Sequence, residues 1–356
     1  MAKKISQKLA TQQKNDMQVK LCNQPEVIQQ QLDANINTLR ANFIFTNNKK
    51  WANGTELSFC FMKGAEKQRN VVRNAFKTWK GLGIGITFKE VAKTGSSILR
   101  IGFVLGDGSW SYVGRDNLNV KKSDRTMNFG WDLAVDSYGM TTALHEIGHA
   151  IGFQHEHQSP FAGIEWDTQA VYRSFSVPPN SWSKATIDQN IINKLPPNEL
   201  TGSAWDADSI MEYQFGPGLI KKPVAFQNGV YPKGVLSEND KKGIKSIYPV
   251  VAKSSQKELE LQKLEDINVK NGDQTDFVFE APDTAKYTFQ TVGNMDTVMV
   301  VNEMDKTTNH YLAGSDDSGT SNNSKLSLPL VKGRKYLVNV RVMYAESNNG
   351  GIIVTN

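Results

Sequence analysis

The chain has 356 residues, more than one hydrophobic core usually holds, so we expect a large domain and a smaller one. Hydrophobic residues make up 39% and charged residues 22% of the chain, proportions that are typical of folded proteins and exclude global disorder. The net charge of +5 is spread along the chain without a dense basic stripe, so no nucleic-acid partner is expected.

The first segment, residues 1–45, is a leader rich in Gln, Asn and Lys, and its apolar spacing predicts a helix over Val27–Phe43. Its basic start is not followed by an apolar stretch, so a secretory signal peptide is not predicted in this chain. No apolar run approaches the roughly 18 residues needed to span a bilayer, so no membrane span is predicted either. Removal of an export signal, another export route and retention inside the cell all stay open.

Strands and helices alternate over residues 46–252, and this mixture predicts an α+β domain. Apolar alternation indicates the strands, and helical periodicity indicates the helices. In chain order the predicted elements are a strand at Glu56–Met62, a helix from Glu66 to Gly81, strands at Ile84–Val91 and Ile98–Val104, a helix from about Ser137 to Gly152, loops with short helices over 157–235, and a last helix after the N-cap Ser237.

The pattern changes near the C-terminus. We interpret the charged stretch 253–265 as a linker, and residues 266–356 as a small all-β sandwich of short strands separated by Gly, Asn and Asp turns. The predicted strands are Phe277–Phe279, Lys286–Gln290, Thr297–Val301, Lys325–Leu330 and Lys335–Val342.

Three histidines in one segment have the spacing of metal ligands. His145 and His149 are four residues apart, so on a helix both side chains project from one face and reach a single ion. Gly152 can adopt a left-handed conformation that turns the chain and lets His155 supply a third nitrogen. Three neutral nitrogens leave one position for water, which is typical of a catalytic zinc site rather than a structural one.

Glu146 follows the first histidine and is placed to take a proton from that water and to pass it to a leaving amine. A bare His-Glu-x-x-His can occur by chance on a surface helix. Here, however, four of the five histidines fall within the thirteen residues from His145 to His157, which favours a metal site. We interpret His157 as a residue that supports the ligands.

The whole segment resembles the zinc signature of the metzincins, and Glu156 directly after the third histidine resembles the astacin family in particular. Ser209-Ile210-Met211-Glu212-Tyr213 is similar to the Met-turn of that family. The resemblance implies that Met211 underlies the zinc site and that Tyr213 approaches the metal and stabilises the oxyanion.

This resemblance covers about Trp51–Pro249. It implies a metzincin catalytic domain over 46–252, with a mixed twisted sheet, an active-site helix and zinc in the cleft, and it implies a zinc metalloendopeptidase acting on protein or peptide substrates. The disulfide cysteines usual in the family are missing. Metzincins bind an extended peptide along an edge strand, for which Ile98–Val104 is our candidate, and substrate preference cannot be derived from the sequence.

The leader carries a second resemblance. Cys22, in Leu21-Cys22-Asn23-Gln24-Pro25, resembles the cysteine-switch segment of the matrix metalloproteinases, although Leu21 replaces the leading arginine. A thiolate would occupy the open zinc position until the leader is removed, so a latent zymogen is expected. A disulfide to Cys60 and an idle thiol stay open as alternatives. In the astacin family the acidic residue after the third histidine meets the new N-terminus, which implies this role for Glu156 after a cut between Arg40 and Trp51.

The last part of the chain resembles the pre-peptidase C-terminal domain of secreted bacterial proteases, through Tyr287-Thr288-Phe289, Asp296-Thr297-Val298 and the turn residues from Asp316 to Ser324. These turns are either a calcium site or solvated loops. The leading hypothesis is a secreted endopeptidase whose sandwich binds surfaces or substrate. The alternatives are a surface-binding or adhesin-like module with a protease-like scaffold, and a toxin delivered without a signal peptide.

Overall fold

A computed structural model describes residues 21–25, 49–195, 205–250, 256–305, 309–316 and 322–356. The predicted leader helix Val27–Phe43 lies outside these residues, as does most of the stretch from Arg40 to Trp51 that contains the expected cut. We call the described residues 49–250 the N-terminal unit, 256–356 the sandwich and Leu21–Pro25 the leader segment. Among the described residues, none of the helices combines the length and the apolar character needed to cross a membrane.

A five-stranded mixed sheet forms the upper half of the N-terminal unit. Its strands are β1 (Glu56–Phe61), β2 (Thr87–Glu90), β3 (Leu99–Gly102), β4 (Trp110–Ser111) and β5 (Met127–Asn128). They lie in the order β2-β1-β3-β5-β4, and only β4 runs antiparallel to its neighbour. The expectation that Ile98–Val104 is the edge strand is therefore wrong. β3 is buried and paired on both sides, and β4 is the edge.

Five helices follow the predicted order. They are α1 (Glu66–Gly81), α2 (Gly139–Ala150), α3 (Thr168–Phe175), α4 (Lys184–Ile187), which continues into a π-helical turn at Asp188–Ile192, and α5 (Glu238–Ile247). Two short strands in the intervening loops, β6 (Glu165–Trp166) and β7 (Ile220–Lys222), pair with each other. The prediction of long loops with short helices over 157–235 is confirmed in the described part of that stretch.

Helix α1 joins the sheet to α2. Its buried face carries Phe76 and Trp79, as the helical periodicity predicts. The Phe76 ring stacks on Phe59 of β1 at 4.3 Å between centroids, and the Trp79 indole donates to the Leu144 carbonyl of α2 at 3.1 Å. Each buried aromatic ring contributes about 2 kcal/mol to stability, so α1 fixes α2 against the sheet.

Seven strands form the sandwich: β8 (Lys257–Leu259), β9 (Leu264–Asp266), β10 (Gln274–Glu280), β11 (Ala285–Met304), β12 (Asn309–Ser315), β13 (Lys325–Leu330) and β14 (Lys335–Thr355). One half of β11 and β14 pairs with β10 and β12, and the other half pairs with β9 and β13. Phe279 of the first half contacts Phe289 of the second at 5.5 Å between ring centroids, so the two layers share one core.

Two sequence predictions need correction in this region. The strands predicted at Lys286–Gln290 and Thr297–Val301 are parts of the single strand β11, which bends through register shifts after Gly293 and Asp296. Turn residues between them mark bulges rather than a loop. Part of the predicted linker 253–265 belongs to the sandwich, since β8 and β9 lie within or overlap it. Their charged sequences gave no alternating signal, and in β8 only Leu259 is buried.

Candidate metal centre

The end of α2 brings the three histidines together. His145 and His149 lie on one face of the helix, and Gly152, with φ of +107°, turns the chain after it as expected. His155 then lies on the opposite side of the same space. Ligand atoms of His145, His149, His155 and Cys22 all lie within 4.8 Å of one another, and all four residues are buried.

The three imidazoles share one protonation pattern. Nδ1 faces an acceptor in each case: the Ile210 carbonyl at 2.8 Å from His145, the Phe153 carbonyl at 2.9 Å from His149, and Gln158 Oε1 at 3.2 Å from His155. Because an amide or carbonyl oxygen can only accept, Nδ1 carries the proton and the Nε2 lone pairs point into the shared space.

This arrangement fits a cation. His145 Nε2 is buried without a hydrogen-bond partner, and the Nε2 atoms of His149 and His155 face each other at 3.0 Å, where neither can donate to the other. Burial lowers the pKa of His145 to about 4 and lowers the pKa values of His149 and His155 well below their usual range. Neutral imidazoles with converging lone pairs are the form that binds a metal.

Cys22 supplies the fourth donor from the leader segment. Its Sγ lies 3.4 Å from Glu146 Oε2. Burial, and after it the Glu146 carboxylate, raise the pKa of the Cys22 thiol well above its usual range. Cys60 lies elsewhere, buried in β1 with its Sγ 3.1 Å from Ser97 Oγ, and both thiols are free. The alternative of a Cys22–Cys60 disulfide is therefore wrong.

The leader segment runs across the cleft beside the sheet edge. Cys22 forms a parallel bridge with Ser109, which precedes β4, and Asn23 N donates to the Ser109 carbonyl at 3.0 Å. On the other side, Gln24 N donates to Asn190 Oδ1 at 3.0 Å. Leu21 and Cys22 line a cavity of about 400 Å³ that also reaches the first turns of α2. This short segment thus covers the metal centre.

Glu146 and Tyr213 flank the thiol. Glu146 is 1% exposed, and burial raises its pKa to about 8. The Tyr213 hydroxyl donates to the Cys22 carbonyl oxygen, and its ring lies 4.4 Å from that of His155 between centroids. The carboxyl group and the phenol therefore approach one peptide unit of the leader segment from two directions.

Met211 lies below the histidines. It is fully buried and packs so close to α2 that a Cβ added to Gly148 would lie 2.4 Å from Met211 Sδ. Asp240 of α5 holds this turn, because one oxygen accepts from Ser209 Oγ at 2.7 Å and the other from Ile210 N at 2.8 Å. The Ile210 carbonyl in turn accepts from His145, so α5 is linked to the first histidine.

Glu156 and His157 complete the surroundings. Glu156 Oε1 accepts from Asp206 N at 3.0 Å, and burial raises the pKa of Glu156 to about 7. His157 is buried, with Nε2 at 2.9 Å from the Asn190 carbonyl and its ring 5.4 Å from that of His155 between centroids. His157 is not among the four converging donors.

Two contributors were missed from the sequence. Gln158 orients His155, and its position three residues after that histidine was a usable signal. Asp240 was seen only as part of a helix start, and its contact with the Met211 turn depends on tertiary structure. The cluster around Asp316 gives no second metal centre among the described residues, where Asp316 pairs with Arg115 instead. Asp317 to Gly319 lie outside them, so calcium stays a prediction.

A mixed sheet whose edge strand borders the cleft, a helix with two of three clustered histidines, and a buried methionine turn beneath them define a metzincin-type metallopeptidase fold. The peptidase family described as Astacin matches residues 43–218. The structure of myroilysin is 33% identical, with a TM-score of 0.54, and the match covers 58% of this chain and 98% of myroilysin. The chain belongs to the astacin family.

Curated relatives include protein SpAN of Strongylocentrotus purpuratus, 28% identical over 127 residues, and blastula protease 10 of Paracentrotus lividus, 32% identical over 99 residues. These matches cover 33% and 26% of this chain, but only 19% and 15% of the two relatives. The chain thus spans less than a fifth of the length of these relatives. Peptidases of the astacin family are zinc-dependent, and the buried cluster of three histidines and a cysteine is consistent with this.

Proposed function

We propose that the protein is a zinc endopeptidase made in a latent form. The observation that carries this proposal is the convergence of three imidazole nitrogens on one buried space, with Cys22 of the leader segment as a fourth donor. His145, His149 and His155 would hold the metal through Nε2. Zinc at this position would polarise a scissile carbonyl and lower the pKa of a bound water.

Glu146 is the general base in this proposal. Its carboxylate lies beside the histidines and would accept a proton from the attacking water, then return it to the leaving amine. Tyr213 would donate its hydroxyl proton to the oxyanion, in the way that it now donates to the Cys22 carbonyl. The leader peptide unit therefore stands where a substrate carbonyl would lie.

Latency follows from the same contacts. The Cys22 thiol occupies the side of the cluster where water would bind, and the leader segment fills the cleft between β4 and the π-helical turn at Asp188–Ile192. We propose that a cut between Arg40 and Trp51 releases this segment and that Glu156 then meets the new N-terminus. Domains over 1–45, 46–252 and 266–356, with only residues 253–256 left as a linker, complete this organisation.

Secretion, proteins or peptides as substrates, surface binding by the sandwich and its likeness to a pre-peptidase C-terminal domain belong to the same proposal. A surface-binding module whose protease fold is only a scaffold is less well supported, because the histidines, Glu146 and Tyr213 are all present and assembled. The cavity lined by Leu21 and Cys22 is where a substrate side chain would enter once the leader leaves.

The test combines zinc content with cleavage of a denatured general protein substrate. The full chain, a chain trimmed of its leader, Cys22→Ala and Glu146→Ala would be compared. We expect one zinc per chain, activity on trimming or in Cys22→Ala, and none in a trimmed chain with Glu146→Ala. Cys60→Ala is the matched control, since it removes the other buried thiol and should leave the chain latent.

Each outcome decides a separate part. A chain that binds zinc but cleaves nothing in any form would favour the scaffold alternative. Activity in the untrimmed wild-type chain would contradict latency without affecting the peptidase proposal. A protein without zinc would overturn the whole account.

A further inference from the structure

Arg341 of β14 is buried against the N-terminal unit. It is 4% exposed, and its guanidinium donates to three backbone carbonyls: Trp51 at 2.9 Å, Gly272 at 2.7 Å and Ile247 at 2.8 Å. Two of these three acceptors belong to the N-terminal unit. A buried guanidinium that lost them would remain desolvated without partners, which is costly.

The residues that Arg341 contacts also cap the active-site helix. The Trp51 indole donates to the Ala150 carbonyl at 2.9 Å, and the Tyr248 hydroxyl donates to the Ile151 carbonyl at 2.8 Å. The same hydroxyl accepts from Trp51 N at 3.0 Å, and the Arg341 guanidinium lies 5.7 Å from the Tyr248 ring centroid. Carbonyls at a helix C-terminus lack partners within the helix, so these two side chains satisfy the end of α2.

Residues after Trp51 are held by the sandwich as well. Ala52 is fully buried in a cluster with Val298, Val300 and Met343. Asn53 N donates to Gln274 Oε1 at 2.7 Å. The contact is so close at Gly54 that an added Cβ would lie within 2.5 Å of side chains on β11 and β14. The segment that supports α2 thus has its own seat on the sandwich.

We propose that Arg341 is a positioning residue for the peptidase reaction and acts through Trp51 and Tyr248 on the end of α2. The turn that follows α2 separates His149 from His155, so its placement sets the distance between the second and third histidines. The sandwich is then part of the catalytic machinery and not an appended module. This inference rests on the proposed function and deepens it.

The test uses full-length chains. Turnover is measured in the Cys22→Ala background with Arg341→Met, Tyr248→Phe, Arg341→Lys or Arg334→Met, and the visible spectrum of the Co²⁺-loaded protein is recorded for the same substitutions in the wild-type background. Arg334→Met is the matched control, because Arg334 pairs with Glu303 within the sandwich and is exposed. Zinc content and thermal unfolding confirm that each variant is folded.

Arg341→Met and Tyr248→Phe should lower kcat by about tenfold to a hundredfold with KM changed less than about twofold, since small displacements of catalytic groups cost this much. Both should shift the cobalt spectrum, and Arg341→Lys should recover part of the loss. Folded variants with the kcat and spectrum of Arg334→Met would overturn the inference. Tyr248→Phe, which loses one oxygen atom, decides if Arg341→Met does not fold. If the Arg334→Met control cleaves nothing, the proposed function fails, and the spectra alone still decide the positioning role.

Discussion

At the residue scale, one glycine sets how closely the methionine turn approaches the metal centre. An added Cβ at Gly148 would overlap Met211 Sδ, whereas at Gly243 in α5 it would meet only the edge of Phe153 at 3.9 Å. Gly148→Ala should therefore lower the free energy of unfolding by about 1–3 kcal/mol through overpacking. Gly243→Ala, the control, should be neutral or stabilising by up to about 1 kcal/mol. Urea unfolding measures both, and equal effects would contradict the account.

The histidines, Glu146 and Gly152 could be placed from the sequence because all of them lie in one local segment with helical spacing. Gln158 and Asp240 could not be assigned in the same way. Their roles depend on which carbonyls and turns pack against them, and that is a property of the folded chain. Cys22 is an intermediate case, since its motif suggested a zinc donor and left a disulfide open, which only the distance to Cys60 resolves.

At the element scale, the start of α5 supports the floor of the metal centre. Ser237 and Asp240 form a capping box, and Asp240 also accepts from Ile210 N. Asp240→Asn replaces an acceptor oxygen by a donor, so a backbone N–H loses its partner and the free energy of unfolding should fall by about 1–3 kcal/mol. Glu238→Gln, on the exposed side of the same helix turn, should change it by less than about 0.5 kcal/mol. Denaturant unfolding of the two variants compares them, and an Asp240→Asn protein as stable as Glu238→Gln would argue against this support.

The π-helical turn at Asp188–Ile192 holds the leader through Asn190. Asn190→Ala removes the acceptor for Gln24 N, a bond worth about 1 kcal/mol. The basal activity of the untrimmed chain should rise about fivefold, in line with that free energy. The same substitution in the trimmed chain is the control, where activity should be unchanged. An equal change in both forms would mean that Asn190 acts on the cleft itself and not on the leader.

Elements were more predictable than their arrangement. The helices α1, α2 and α5 follow their periodicity and caps, but the order of strands in the sheet does not follow from strand propensity. For this reason the edge was assigned to Ile98–Val104 instead of β4. In the sandwich, the bend of β11 looked like a turn because bulges use the same Gly and Asp residues as loops.

At the scale of the whole molecule, Lys50 lies near the junction of the two units. Burial, and after it the positive charge of Arg341, lower the pKa of Lys50 to about 8 from an ordinary 10.5. Between these two pH values the unfolded chain binds a proton that the folded protein does not, so the free energy of unfolding should gain a rising component with pH. Lys50→Met should remove this component, whereas Lys325→Met, at an exposed strand position, should keep it. Identical pH profiles for the two variants would contradict the assignment.

The central claim is that one zinc ion is held by three histidines and, in the latent chain, by Cys22. X-ray absorption at the zinc edge of the full-length protein tests it most directly. We expect three nitrogen scatterers at about 2.0–2.1 Å and one sulfur at about 2.3 Å, with the sulfur lost in Cys22→Ala and retained in Cys60→Ala. A site without sulfur in the wild-type chain would contradict the thiol latch, and a protein without zinc, or with zinc bound by other ligands, would contradict the metal centre itself.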